Sequence, residues 1–436
     1  MTSVLARLHR NPLPEGSLSI GLGLVVAGLT QYGFLAIAAR ALGPVRYAPL
    51  ATFWSLLFVV GPGFFLPLEL EVSRAIAARR ARADGGRPLV IRAAAGGGAL
   101  LGVLVIATAI ASGPIDQRLF DGDPIMVWAL VAGLCAYYLE HLTRGTLAGN
   151  GRFGGYGVLL GSEGLLRMLL CLALTVIGAT IAGWFGFAMV MASFMAIGLA
   201  LAGRRGLLLP GSPASWGELS RALGYLLVSS VLSLLLLNGG TVAVQLLATP
   251  AQEAAAGRFL TARIIAFIPV FLFQAVPAAL LPRLSRLAAE GRMAEFRKVI
   301  LELTLLVALL GTSGVGMLTA FGPVASHLLF GGAFDLGRVD YALLSAAGAV
   351  FMVGTVLYQS LVALSGYERA TAGMLVGTVS FVVVTAIGSQ LFLRVELGLL
   401  AGAIASSAVM AILLISLLRT RATLDTEPRI AKAPSA

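Results

Sequence analysis

Residues 18–39 read LSIGLGLVVAGLTQYGFLAIAA, residues 40–47 read RALGPVRY, and residues 48–68 read APLATFWSLLFVVGPGFFLPL. Two uncharged stretches of spanning length are separated by eight residues with a basic residue at each end of a Gly-Pro turn. At about 1.5 Å per residue, each stretch crosses a hydrocarbon core of about 30 Å. The pattern continues outward from this pair at residues 93–111, 125–147, 156–177 and 181–202. A second series follows at 223–247, 259–281, 299–320, 341–364, 372–393 and 397–418. Hydrophobic residues make up 58% of the 436 and charged residues 12%, too little polar surface to solvate a globule of this size. Lipid offers the backbone no hydrogen bonds, so the stretches are expected to be helices.

The basic residues alternate from one connection to the next. Arg7 and Arg10 precede the first stretch, and Arg74, Arg79, Arg80, Arg82, Arg87 and Arg92 follow the second. Arg204, Arg205 and Arg221 follow the sixth, Arg283, Arg286, Arg292, Arg297 and Lys298 the eighth, and Arg419, Arg421, Arg429 and Lys432 the twelfth. An excess of Arg and Lys marks the cytoplasmic side, which predicts a multi-pass protein of a bacterial cytoplasmic (inner) membrane with both termini in the cytoplasm. The net charge of +11 is then accounted for by topology and by anionic membrane lipids, and calls for no nucleic acid. Cys135 and Cys171 lie in apolar stretches, and His9, His141 and His327 are scattered, so no disulfide or metal centre is expected. Phosphate-loop, serine-hydrolase and zinc-protease patterns are absent from the sequence, which argues against an enzyme. The first stretch is of full spanning length without a small-residue cleavage site and is expected to stay as a helix.

Proline and glycine concentrate at residues 204–220, the expected join between two sets of six helices. The expected lobes are 1–210 and 211–418, with 419–436 a disordered cytoplasmic tail. An even number of spans per half implies a pseudo-twofold axis along the membrane normal. Weak repeats agree with this: Pro62 and Pro67 in the second span match Pro277 and Pro282 in the eighth. Pro62, Pro67, Pro269 and Pro277 each remove a backbone donor and are read as kinks in cavity-lining helices.

Four arginines stand where topology disfavours them: Arg40 and Arg46 beside the first turn, and Arg258 and Arg263 at the start of the eighth span. These corners are equivalent under the repeat, so the four cations are candidates to converge on a cleft and bind a phosphate or diphosphate; snorkelling to the interface is the other reading. Glu140 with Arg144, and Glu163 with Arg167, have i,i+4 spacing and are ion-pair candidates. Arg167 falls near the bilayer middle and must face the interior. Asn238 is a further interior polar candidate.

These residues carry a family resemblance. Arg40-Ala-Leu-Gly-Pro-Val-Arg46-Tyr47 resembles the opening signature of bacterial polysaccharide and lipid-linked-sugar flippases. Ala262-Arg263, Pro269 and Leu281-Pro282-Arg283-Leu284-Ser285-Arg286 resemble the helix-eight signature of that group, notably of the lipid II flippases. Leu328-Leu329-Phe330-Gly331-Gly332-Ala333-Phe334-Asp335 is similar to a segment before its helix ten. The chain thus resembles the multidrug/oligosaccharidyl-lipid/polysaccharide exporter superfamily, which implies a MATE-like, all-α integral membrane fold of twelve helices in two six-helix lobes. Tyr47 replaces an acidic residue usual in lipid II flippases and two further helices are missing, which points to the polysaccharide-type branch.

The resemblance implies translocation of a polyprenyl-diphosphate-linked oligosaccharide to the outer leaflet by alternating access, with Arg40, Arg46 and Arg263 on the diphosphate. It implies work beside a polysaccharide polymerase and glycosyltransferases, with no cofactor. Moving two negative charges outward against 100 mV, inside negative, is favoured by roughly 4.6 kcal/mol, so the membrane potential is the expected drive. Glu163 and Glu140 are the candidates for an Na+ or H+ site. The alternative within the superfamily is a cation-coupled drug or small-metabolite antiporter.

Overall fold

The computed structural model describes residues 17–218, 223–273 and 275–426. Arg7, Arg10, Arg221, Arg429, Lys432 and the tail from 427 lie outside the described residues. Every regular element described is helical: α1 (Ser17–Arg80), α2 (Arg87–Ile110), α3 (Ser112–Leu119), α4 (Pro124–Gly149), α5 (Phe153–Val176), α6 (Ala182–Leu201) and α7 (Leu223–Leu247). Then come α8 (Ala255–Ala266), α9 (Ile268–Phe273), α10 (Ala275–Ala289), α11 (Met293–Phe330), α12 (Arg338–Ala363), α13 (Tyr367–Ile387) and α14 (Leu391–Thr426). Three short 3-10 turns complete the elements.

Ten of these helices are long and apolar enough to cross a membrane. Two departures from this number lead back to twelve crossings. The 64-residue α1 is far too long for one span, and its single non-helical residue is Gly43, with φ 70° and ψ 169°. Only glycine takes that φ without cost, and Pro44 beside it starts a new helix without needing an N–H partner. The eighth span is the other departure: it is carried by α8, α9 and α10, with a described interruption at Phe267.

The chain reverses at Gly43. Along α5, Gly157, Gly164, Met168 and Cys171 meet Ser19, Ala27, Gly33 and Phe34 in turn, so α5 runs parallel to the first limb of α1. Along α4, Gly133, Tyr137, Gly145 and Gly149 meet Leu57, Gly61, Glu69 and Ser73, so α4 runs parallel to the second limb. Three residues join α4 to α5, and Arg144 reaches back to Tyr156 across the join, so these two helices are antiparallel. The limbs of α1 must therefore be antiparallel, as two successive spans require.

The expected boundaries need correction at several ends. The second limb of α1 runs twelve residues past Leu68 to Arg80, and α11 extends beyond 299–320 at both ends. The backbone of α1 passes Pro62 and Pro67 with helical dihedrals, and Pro269 lies in the first turn of α9, where the missing N–H costs nothing. The last helix continues to Thr426, so the first part of the expected disordered tail is helical.

Packing divides the described residues into two compact units. One contains the described residues as far as Ile265 with Phe321–Arg338; the other contains Ala266–Ala320 and the chain from Val339. In the first, α1 packs on α4, α5 and α7, and α5 buries Leu159, Glu163, Arg167 and Cys171 at every fourth position. Its opposite face exposes Leu165, Leu169, Leu172 and Val176, the surface a hydrocarbon solvent accepts. In the second, α13 and α14 form an antiparallel pair, with Gly373 against Met410 and Gly398 against Phe381.

The connection after α6 folds onto the turn after α1. Buried Arg79 donates to Glu218 at 2.8 Å and 2.9 Å and to the carbonyls of Ser212 and Gly85. Asp84 accepts from the Ser212 hydroxyl and, at 2.9 Å, from its N–H. The Ser212 hydrogen bonds hold Asp84 below its ordinary value of 3.8, and hydrogen bonding to Arg79 does the same for Glu218 below 4.5.

Two outcomes follow. An added Cβ at Gly157 would sit 2.3 Å from the Ser19 carbonyl oxygen, whereas Gly102 has nothing within 4 Å. Gly157→Leu should lower stability in detergent by about 1–3 kcal/mol, read by thermal unfolding, with Gly102→Leu unchanged. Because both clamp carboxyls titrate lower in the folded state, their contribution is complete above their ordinary values and lost as pH falls below them. Thermal unfolding between pH 7 and pH 3.5 should show the Asp84→Asn/Glu218→Gln variant less stable at the upper end and flatter with pH than wild type.

Candidate functional site

Arg40 ends the first limb of α1 and Arg46 begins the second, so the Gly43 reversal sets them on one corner. A Cβ added to Gly257 of α8 would lie 3.1 Å from the Pro44 carbonyl oxygen and 3.1 Å from the Tyr47 ring, which brings Arg258 to the same corner. Arg40, Arg46 and Arg258 are all exposed. Arg40 donates from Nε to the Leu329 carbonyl at 2.9 Å and from Nη2 to that of Leu328 at 2.5 Å. Phe334 meets the buried Tyr47 edge-on, with ring centroids 5.6 Å apart. Two motifs separated by almost 290 residues therefore touch. The position held by an acid in lipid II flippases is, in this chain, an aromatic packing contact.

Arg263 lies six residues beyond Gly257, deeper along α8 by about 9 Å. It is 5% exposed, and donates from Nη1 to the Leu237 carbonyl at 2.6 Å and from Nη2 to Asn238 Oδ1 at 3.1 Å. Asn238 thus orients the guanidinium, a pairing that sequence spacing did not suggest. Tyr32 of α1 is close enough to interact electrostatically with it.

A second polar array runs along the other limb of α1. Arg167 is 3% exposed, pairs with Glu163 one turn away, and lies with its guanidinium carbon 5.3 Å from the Trp54 ring centroid. Such stacking provides a cation face where water is missing. Ser193 of α6 donates to Glu163 at 3.2 Å. Tyr137 continues the array by stacking on His141, whose Nδ1 lies 2.7 Å from Glu69 Oε2. Glu69 also accepts from the Tyr156 hydroxyl at 2.7 Å and faces Arg144 at 3.2 Å. Arg144 donates to Tyr156 at 2.8 Å and reaches Glu140 at 3.5 Å.

Both i,i+4 pairs thus exist as ion pairs, and Tyr137, which hydrogen-bonds Arg167 and stacks on His141, joins them into one buried network with Glu69, Tyr156 and Trp54, residues that sequence reading did not place in the site. The signal for Glu69 was present, a carboxylate next to an apolar run. It was lost because the second span was ended at Leu68. Glu140 Oε2 and His141 Nε2 are buried without a hydrogen-bond partner among the described residues.

With this geometry in hand, the chain can be set beside known proteins. No family model matches it. Two uncharacterized proteins of Mycobacterium tuberculosis (strain ATCC 25618 / H37Rv) are similar along nearly all their length. One is 26% identical over 425 residues, 94% of this chain and 93% of its own; the other is 26% identical over 408 residues, 90% of each. Among solved structures, an inward-facing multidrug resistance MATE family transporter of the MOP superfamily aligns with a TM-score of 0.70 at 14% identity, covering 93% of this chain and 99% of its own. A point mutant of the Vibrio cholerae MATE transporter VcmN aligns at 0.66 and 16% identity, covering 93% and 97%. The fold is the MATE-like membrane fold shared by these transporters.

Removing the Glu69 carboxylate by Glu69→Ala leaves Arg144 and His141 buried without it, and thermal unfolding should report a loss of roughly 3–5 kcal/mol. Tyr156→Phe should cost about 1.5–3 kcal/mol, since its hydroxyl bonds two charged groups. The double variant should lose less than the sum, because both changes break one network.

Proposed function

We propose that this chain is a transporter, not an enzyme, that carries a polyprenyl-diphosphate-linked oligosaccharide from the inner to the outer leaflet of a bacterial cytoplasmic membrane. The observation that supports this most is the arginine corner: three exposed guanidinium groups at the Gly43 reversal, with the buried Arg263 deeper on α8 and oriented by carbonyl oxygens. A guanidinium presents paired donors that match phosphate oxygens, and one fixed in advance loses little freedom on binding. In this reading Arg40, Arg46 and Arg258 collect the diphosphate, Arg263 is its deepest contact, and the polyprenyl tail stays in lipid. The protein opens alternately to the two faces, and the membrane potential drives the anionic head outward without a cofactor. A polymerase and glycosyltransferases acting on the same glycan would be its working partners.

The second reading is a cation-coupled antiporter of drugs or small metabolites. The buried network favours it, because it gathers three carboxylates and one imidazole, the donor types a coupled cation needs, in the interior of the helices. The two readings place the chemistry in different residues and are separable on that ground.

The test follows a labelled polyprenyl-diphosphate oligosaccharide across proteoliposomes under an imposed potential. Wild type should transfer it, Arg263→Ala should reduce the rate by at least roughly tenfold, and His141→Gln should leave potential-driven transfer in place. If no glycan moves while a pH gradient drives efflux of a cationic dye, and His141→Gln abolishes that efflux, the antiporter reading replaces the first.

A further inference from the structure

The first turns of α2 and the connection after α6 flank an open cavity of about 610 Å³, lined by Arg87, Pro88, Ile91, Arg92, Pro210 and Trp216 among others. Its walls are built. The Arg87 N–H donates to the Leu209 carbonyl at 3.0 Å, and the Asp84–Ser212 and Arg79–Glu218 bonds hold the connection against the turn. Those same bonds occupy the two nearby carboxylates. Arg92 lies with its guanidinium carbon 5.2 Å from the Trp216 ring centroid, and that ring packs against Gly96 of α2. Stacking covers the flat face of the guanidinium and leaves its N–H edge for an anion. Arg87 is exposed and has no side-chain hydrogen bond among the described residues.

The mouth of the cavity is apolar, with Ile91 57% and Trp216 58% exposed. From Ile91 an exposed stripe continues down α2 through Ala95, Ala99, Val103, Ile106 and Ile110, about 28 Å along the helix. A basic pocket at the head of a spanning helix, opening onto an apolar track of acyl-chain length, matches a phospholipid and not a free anion. A tryptophan at the same level is characteristic of the headgroup region.

We propose that this cavity binds the headgroup of one anionic phospholipid, with Arg87 and Arg92 on its phosphate and an acyl chain along the exposed stripe of α2. The lipid bridges α2 and residues 210–216 and is a structural ligand of the first compact unit, independent of what the protein transports. Basic pockets of this composition are a recognised way for membrane proteins to hold specific lipids.

The test uses the full chain in non-ionic detergent, with phosphatidylglycerol or phosphatidylcholine added and retained lipid counted by native mass spectrometry. Phosphatidylglycerol should be retained and phosphatidylcholine not. Arg87→Gln/Arg92→Gln should weaken retention roughly a hundredfold, about tenfold for each guanidinium. Arg82→Gln, which removes an exposed charge from the neighbouring turn, should retain as wild type does. Equal retention by the double variant, an equal loss in Arg82→Gln, equal retention of the neutral lipid, or full displacement by inorganic phosphate would each overturn the proposal. Lipid-free melting temperatures of the variants check that they fold.

Discussion

A hydrocarbon slab offers no hydrogen bonds and no solvation for charge, and the described structure follows from this one constraint. It forces the backbone into helices that satisfy themselves, and it forces every charged side chain within a span to find a partner inside the protein. The α5 helix shows both effects. Its leucines and valines face outward, and its buried stripe carries Glu163 and Arg167 into contact with each other, with Ser193 and with Trp54. A soluble helix would place such a pair on its wet face, where it is worth a fraction of a kcal/mol. In this interior the pair decides which face of the helix points inward.

Charge placement also divides the first unit into two regions of different chemistry. Around Gly43 the cations are unbalanced: Arg40, Arg46 and Arg258 share one exposed corner, with Arg263 below it on α8. Further along the second limb of α1, carboxylates outnumber guanidinium groups, and His141 sits against Glu69. The second limb of α1 reaches both, since Arg46 stands at its start and Trp54 and Glu69 lie further along it.

Several features were legible because they depend on local properties of the chain. Apolar length and the alternation of arginines reveal spans and sides, since insertion responds to both. The i,i+4 pairs were legible because helical geometry places such residues side by side. The Gly43-Pro44 turn was legible as a turn, but not as a single-residue reversal between continuous helices. Pro62 and Pro67 were read as kinks, and both lie inside α1, whose one non-helical residue is Gly43; a proline can bend a helix while its own dihedrals stay helical. Helix ends were read short wherever arginines were taken for loop, as after Leu68, because helices continue past the hydrocarbon edge when other protein covers them.

By itself the sequence determined the class of molecule, its crossing segments and the residues that bilayer energetics single out, because these follow from the free energy of placing each residue type in lipid or water. Only the tertiary structure decided which charges meet. It joined Arg263 to Asn238 and Arg40 to the carbonyls of Leu328 and Leu329, linked Glu69 to His141 and Tyr156, and closed the 204–218 connection over Arg79. These contacts span from 25 to 289 positions of chain, and no local periodicity encodes them. They arise because a buried polar group takes the partner that helix packing brings within reach.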